Sequence, residues 1–152
     1  MNRICVQEAD FDVGHELRAI CDGRSDIGAS VTFVGLVRDM NLEDAVSGMA
    51  LQHYPGMTEK ALHGIVEEAS RRWSVQHATV IHRVGELRPG DQIVLVVIAS
   101  AHRHDAFEAC AFIMDYLKTR APFWKKELLG DGSSRWVDAR SSDERAAQRW
   151  RE

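Results

Sequence analysis

The stretch that decides the fold covers residues 92–118 and has the sequence QIVLVVIASAHRHDAFEACAFIMDYLK. Its first part, residues 92–99, is almost entirely apolar and rich in β-branched side chains, which predicts a buried strand. The second part predicts a long helix from about residue 101 to residue 118, and Pro122 ends it because proline cannot continue a helix. Residues 109–111 include no helix breaker, so we expect one continuous helix.

The rest of the chain adds further strands and a second long helix. Apolar residues at the helical period predict a helix over residues 57–73, after a turn at Pro55 and Gly56. We predict strands at residues 3–7, 29–37, 48–54, 75–84 and 135–137, a short helix at residues 13–21, a polar loop at residues 39–47 and a turn at residues 127–133. This order contains no clean βαβ repeat, so the fold class is α+β, with a largely antiparallel sheet and two long helices.

The length of the chain, 152 residues, suits one domain with a proper core. We assign this domain to residues 1–140. The remaining residues, 141–152, are predicted to be a C-terminal tail, in which Ser141 and Glu144 have the spacing of a helical capping box.

Charge and hydropathy exclude several classes of protein. The net charge of −4 argues against a general nucleic-acid binder, which would carry a broad basic excess. No apolar run approaches the roughly 20 residues that span a bilayer, and the N-terminus resembles a strand rather than a signal peptide. We therefore expect a cytoplasmic protein with no membrane contact.

The cysteines Cys5, Cys21 and Cys110 are odd in number and form no C-x-x-C motif, so neither a disulfide framework nor a zinc knuckle is indicated. We expect all three to be small buried hydrophobic residues. A metal site at His102 and His104 is disfavoured because the spacing places no third ligand. No metal and no cofactor are expected.

One cationic cluster, His102-Arg103-His104, stands at the start of the long helix predicted at residues 101–118, just after Ser100. Cations are unfavourable at this positive end of the helix dipole, whereas an anion would be held by backbone N–H groups and side chains together. The cluster therefore predicts either a phosphate or carboxylate site or simply solvated side chains, and the local sequence favours neither.

A second cationic cluster follows the same helix. Lys118 stands at its C-terminal end, where a cation is favourable for electrostatic reasons alone. Lys125 and Lys126 follow Phe123 and Trp124, which we interpret as an aromatic shelf able to lower a lysine pKa. Arg38, directly after the strand at residues 29–37, is a third and weaker basic element.

Taken together, these segments resemble the large, catalytic subunit of molybdopterin synthase. The matching stretches are collinear from about residue 28 to residue 140. They are residues 28–38 (GASVTFVGLVR), 53–57 (HYPGM), 81–87 (IHRVGEL), 102–118, 121–127 (APFWKKE) and 135–137 (RWV).

The resemblance implies an α/β hammerhead fold, a catalytic role for the domain at residues 1–140, and a homodimer of large subunits. Each would bind a small ubiquitin-like sulfur-carrier subunit with a C-terminal Gly-Gly thiocarboxylate. The implied sulfurtransferase reaction inserts two sulfurs into cyclic pyranopterin monophosphate to form the molybdopterin dithiolene. The implied catalytic residues are Lys118 and Lys125, and the implied substrate-binding residues are Phe33, Leu36, Val37, Arg38, His102, Arg103, Lys126 and Glu127. Leu36 stands where lysine is frequent in the family.

Two other functions compete with this one. A persulfide sulfurtransferase would use Cys110 or Cys21, but the apolar neighbours of Cys110 argue against a reactive thiol. A non-catalytic ligand-binding or regulatory module would use the same basic residues without turnover.

The spacing of the two clusters also has a consequence for assembly. Sixteen residues separate His102 from Lys118 on one predicted helix, which is about 24 Å at 1.5 Å per residue. We therefore expect a site shared across a two-fold dimer.

Overall fold

The computed structural model describes residues 2–41, 44–137 and 141–151, without the side chains of residues 141 and 142. Within these residues the chain is an α+β domain. Its elements are β1 (Arg3–Gln7), α1 (Val13–Cys21), β2 (Ala29–Leu36), β3 (Met40–Asn41), β4 (Asp44–His53), α2 (Met57–Arg72), β5 (His77–Arg83), β6 (Gly85–Leu87), β7 (Gln92–Ser100), α3 (Arg103–Arg120), β8 (Phe123–Leu129), β9 (Ser134–Val137) and α4 (Ser141–Gln148).

The first sheet has the strand order β1-β5-β7-β2, in which β1 and β5 are parallel and the other pairs antiparallel. Strand β7 is buried on both faces. Val94, Val96 and Ile98 pack under α2 and α3, whereas Leu95 and Val97 pack with Phe11 and Ile20 on the α1 side. The buried strand predicted at residues 92–99 is therefore confirmed, and its continuous apolar sequence follows from cover on both faces.

Helix α3 is continuous, as predicted, although it begins and ends about two residues later than the pattern indicated. One face of α3 packs in the main core. Its side chains there have almost no solvent exposure and include Ala106, Ala109, Phe112 and Ile113. Ser100 is not its N-cap residue, which is His102. The Ser100 hydroxyl donates to the Ser74 carbonyl at 2.6 Å and accepts weakly from the His102 N–H at 3.3 Å.

The second sheet has the order β3-β4-β8-β9, with β6 also paired to β4. Two predictions are wrong here. The loop predicted at residues 39–47 contains the β3–β4 hairpin, with Met40 opposite Ala45; Leu42 and Glu43 lie outside the described residues. The turn predicted at residues 127–133 begins only after Leu129, because Glu127 and Leu128 still pair with β4. In both cases, cross-strand pairing extends the sheet through polar sequence.

The C-terminal residues pack onto the domain through α4. Ala147 and Trp150 join the main core, where the Trp150 ring lies 5.3 Å from that of Trp73. The Trp150 indole N–H donates to Asp115 at 2.6 Å, and Arg72 donates to the Trp150 carbonyl at 2.6 Å. The predicted domain limit at residue 140 falls outside the described residues, as does the side chain of Ser141, so the limit and the capping box stay predictions.

Among the described residues, no helix combines the length and the apolar character that a membrane span requires.

Replacing Trp150 by alanine should destabilise the whole domain. The side chain is 8% exposed, and its loss removes core packing and leaves Asp115 without its indole donor. We expect Trp150→Ala to lower the free energy of unfolding by about 3–5 kcal/mol in urea denaturation. The matched control is Trp136→Ala, where the side chain is 56% exposed, with an expected loss below about 1 kcal/mol. Equal losses for the two variants would show that the C-terminal segment is not part of the cooperative core.

Candidate active site

A cleft of about 300 Å³ lies between the C-terminal end of α3, the end of the first sheet and the inner face of the second sheet. Its apolar walls come from Met49, Leu51, Ile93, Leu117 and Phe123. Its polar lining residues include Arg38, Asn41, His82, Lys118, Lys125, Glu127 and Asp143.

The cleft brings together Arg38, Lys118 and Lys125, which sequence analysis singled out separately. Lys118 lies in the last turn of α3, and Lys125 lies on β8 after a sharp change of direction. A hydrogen bond from α2 holds this change of direction in place, because the buried hydroxyl of Thr58 donates to the Pro122 carbonyl at 3.0 Å. The two lysines are thus held on facing sides of one apolar cleft.

The alternation of β8 divides its residues between two faces. Phe123, Lys125 and Glu127 line the cleft, so Trp124 and Lys126 point to the opposite face of the sheet. There the Lys126 ammonium lies 5.7 Å from the centre of the Trp136 ring. The aromatic shelf predicted from Phe123 and Trp124 is therefore wrong, because neighbouring residues of a strand cannot share a face.

Glu127 is held in a buried network rather than left open to the cleft. Its side chain is almost fully buried and accepts a hydrogen bond from Asn41 Nδ2 at 2.6 Å and from Arg135 Nε at 3.1 Å. Arg135 also pairs with Asp44 at 2.7 Å. Asn41 Oδ1 in turn lies 3.4 Å from Arg38 Nη2. The network ties the β3–β4 hairpin to β8 and β9 and brings Arg38 to the cleft.

His82 is a further polar residue of the cleft that sequence analysis did not single out. The ring is stacked on Phe123, with centroids 3.8 Å apart and planes inclined by 19°. Its Nδ1 lies 2.8 Å from the Arg83 carbonyl oxygen. Burial, together with the charges of Lys118 and His53, lowers the pKa of His82 to about 4. The imidazole is therefore neutral at pH 7.

The other predicted binding residues lie away from the cleft lining or at its edge. His102 and Arg103 are exposed at the far end of α3, about 24 Å from Lys118 along the helix axis. Leu36 is exposed and lines the cleft, whereas Val37 is buried beneath the second sheet. Phe33 is 39% exposed on β2, which is an edge strand within the described residues.

The prediction that all three cysteines are buried hydrophobic residues holds for Cys110 but not fully for Cys5 and Cys21. Cys110 is buried in the main core, and burial raises the pKa of its thiol to about 11. Cys5 and Cys21 are partly buried and pack on the α1 side of the first sheet, away from the cleft. A persulfide mechanism needs an accessible thiolate, and Cys110 does not provide one.

The buried neutral state of His82 should make stability depend on pH. Since the folded pKa is about 4 and the ordinary value 6.5, the unfolded chain takes up this proton first as pH falls. The resulting loss of stability between about pH 6.5 and pH 4 is on the order of 3 kcal/mol.

Urea denaturation across this range should therefore show a shallower decline for His82→Gln than for the natural chain. His104→Gln, which replaces an exposed histidine, is the control for the loss of one imidazole. Parallel curves for the natural chain and His82→Gln would contradict a neutral buried imidazole.

Comparison with known proteins agrees with this fold. The family model described as MoaE protein matches residues 6–120. The molybdopterin synthase catalytic subunit of Ralstonia nicotianae is 62% identical over 150 residues, covering 99% of this chain and 85% of that protein. The solved structure of the molybdopterin biosynthesis MoaE protein from Burkholderia ambifaria MC40-6 superposes with a TM-score of 0.83 at 53% identity, covering 99% of this chain and 98% of the other.

A more distant solved structure shares the fold. It is titled as a protein–protein complex of subunits 1 and 2 of molybdopterin-converting factor from Helicobacter pylori 26695. It matches with a TM-score of 0.72 at 22% identity, over 92% of each chain.

Fold and relatives define a sulfur-transferring enzyme of molybdenum cofactor biosynthesis. The chain belongs to the MoaE family, whose relatives named above include the catalytic subunit of molybdopterin synthase. The enzyme, the α/β hammerhead and the family expected from the sequence are thereby confirmed.

Proposed function

We propose that the cleft between α3 and β8 is where this chain transfers sulfur to cyclic pyranopterin monophosphate, forming the molybdopterin dithiolene. The sulfur comes from the thiocarboxylated C-terminus of a small ubiquitin-like subunit. The observation that carries the proposal is that Lys118 and Lys125, seven residues apart in the chain, line one apolar cleft together with Arg38.

The electrostatics of the cleft suit two anionic reactants. A thiocarboxylate and a phosphate both carry negative charge, and ammonium or guanidinium groups attract them more strongly against apolar walls than in open water. Lys118, in the last turn of α3, positions and polarises the thiocarboxylate. Lys125 assists proton transfer while sulfur adds to the pterin carbon and while water releases the partner's C-terminus as a carboxylate.

The narrow apolar walls also suit the tail of the partner. A Gly-Gly terminus has no side chains, so its backbone can pass close to bulky residues such as Phe123 and Leu117. The larger part of the partner then stays outside the cleft and docks on the surface.

Binding of the substrate phosphate requires a second copy of the chain. His102 and Arg103 are too far from Lys118 to reach a small ligand in the same cleft, so these residues come from the other subunit of a homodimer. Exposed apolar side chains on the edge strand β2, Phe33 and Leu36, support such an interface. Two large and two small subunits would then form a heterotetramer.

We place this reaction in the cytoplasm. All three cysteines are free thiols, as is usual in a reducing compartment.

Removing the Lys118 ammonium should abolish most of the activity without disturbing the fold. Lys118 is exposed at a helix end, so Lys118→Ala leaves the core intact while the thiocarboxylate loses its electrostatic partner. We expect kcat to fall by about 100-fold or more, measured as molybdopterin formed with a thiocarboxylated partner. Cys110→Ala is the control and should keep its activity. Near-natural turnover of Lys118→Ala would refute the assigned role.

Co-assembly of two inactive variants should restore part of the activity. In a heterodimer of Arg103→Ala and Lys118→Ala, one of the two shared sites carries both natural residues and the other carries neither. A verified heterodimer should therefore reach up to about half of the natural rate, whereas each variant alone stays inactive. The absence of any recovery would place the whole site within one chain.

A further inference from the structure

The base of the cleft contains a polar ring in a row of apolar side chains. On β5, the residues that face α2 and α3 are Ala78, Val80 and His82. The first two are completely buried, and His82 is 5% exposed and lines the cleft. Burying an imidazole costs free energy unless its nitrogen atoms have hydrogen-bond partners. We therefore expect both nitrogens of His82 to be hydrogen-bonded when the site is occupied.

The contacts of the ring decide which nitrogen carries the proton. A carbonyl oxygen can only accept, so Nδ1 donates to the Arg83 carbonyl at 2.8 Å. Because burial lowers the pKa of His82, the ring is neutral and Nε2 has a free lone pair. Among the described residues, none donates a hydrogen bond to Nε2. Stacking on Phe123 and the bond to Arg83 together fix the plane in which this lone pair lies.

The other polar groups of the cleft offer mainly donors. Arg38, Lys118 and Lys125 carry N–H groups that suit anions. The Glu127 carboxylate is already engaged by Asn41 and Arg135, one on each oxygen. Asp143 also lines the cleft, but as a charged and partly exposed acceptor. His82 thus adds a neutral, fixed acceptor deep among groups that donate.

We propose that His82 Nε2 accepts a hydrogen bond from a ring N–H of the pterin part of the substrate, which makes His82 a specificity-determining residue of the reaction. This inference rests on the proposed function for the identity of the ligand. The cationic groups hold the phosphate and the thiocarboxylate, and none of them can recognise an N–H donor. His82 thus recognises the pterin ring through the ring N–H, a donor that the cationic side chains cannot bind.

Two substitutions distinguish a role of His82 in pterin recognition from a purely structural role. In His82→Asn, the amide N–H can still donate to the Arg83 carbonyl, but nothing replaces Nε2. In His82→Gln, the side-chain oxygen reaches the position of Nε2, but the bond to Arg83 is lost. Recognition through Nε2 therefore predicts that Asn weakens pterin binding and Gln keeps it, whereas a purely structural role predicts the reverse order.

The measurement is the affinity of the full chain, assembled with its small subunit, for cyclic pyranopterin monophosphate. We expect about tenfold weaker binding for His82→Asn and a change below about threefold for His82→Gln. KM should follow the same order, with kcat changed less. Binding of inorganic phosphate should be equal in both variants. Equal or reversed pterin affinities would overturn the inference.

A measurement on the natural chain covers the case in which neither variant folds. The ¹⁵N resonance of His82 Nε2 should move when the pterin binds, because the lone pair gains a donor, and an unmoved resonance would overturn the inference.

Turnover by the natural chain tests the proposed function separately. If turnover occurs but the order of the variants fails, only the role of His82 is wrong. If turnover is absent but the order holds, the role of His82 stands and the assigned reaction is wrong.

Discussion

The packing of α3 between its neighbours is the constraint on which the rest of the structure depends. Its buried face runs from Ala106 to Leu117, with Phe112 and Ile113 almost fully enclosed, so the helix can neither shift nor bend without opening the main core. The positions of its two ends are therefore fixed at once. One end presents His102 and Arg103 to solvent, and the other presents Lys118 to the cleft. A single rigid element thus holds the two cationic clusters apart, and the proposed function joins them through a second copy of the chain.

The second sheet completes a cleft beside this fixed helix end. Strand β8 alternates between an inner face that meets Lys118 and an outer face that carries Trp124 and Lys126. The ion pair between Glu127 and Arg135, 3.1 Å apart, lies behind the cleft and holds the β3–β4 hairpin in place through Asn41. Because the Glu127 carboxylate is engaged there, it neutralises the cleft cations less than an open carboxylate would. The cleft can therefore attract anions although the chain as a whole carries a net charge of −4.

The parts of the fold predicted from the sequence are those in which local pattern and tertiary burial agree. Strand β7 has a continuous apolar sequence rich in β-branched residues, and α2 has apolar residues at the helical period, so their type was clear. The β3–β4 hairpin and the last residues of β8 were missed because their polar residues, such as Asp44 and Glu127, are typical of loops. Asp44 is extended because it pairs with Asn41 across the hairpin, and Glu127 because it pairs with the distant strand β4. Propensity describes a residue in isolation, whereas these strands exist because of their partners.

The same limit applies to the site. Lys118, Lys125 and Arg38 could be singled out locally as basic residues beside apolar sequence, but the roles predicted for them came from the family resemblance. His82 and Arg135 act through groups that are far away in the chain, such as Phe123 and Asp44. A signal for His82 does exist, since it interrupts the alternating apolar residues Ala78 and Val80 on the buried face of β5. The sequence cannot show, however, that this ring and Lys118 line one cleft, because their proximity comes from the packing of α3 on the first sheet.

The positions of the cysteines support the proposed function, in which the sulfur comes from a second protein. Sulfur transfer by a chain's own cysteine requires a thiolate, and the buried Cys110 has its pKa raised to about 11, so it stays a thiol at neutral pH. Cys5 and Cys21 lie on the α1 side of the first sheet, and that sheet separates them from the lysines. In the proposed function, the sulfur atom therefore enters the cleft from outside, on the C-terminus of the partner. A chain that supplies cations, a neutral acceptor and apolar walls, but no sulfur, is suited to a donor that carries its sulfur on a narrow flexible terminus.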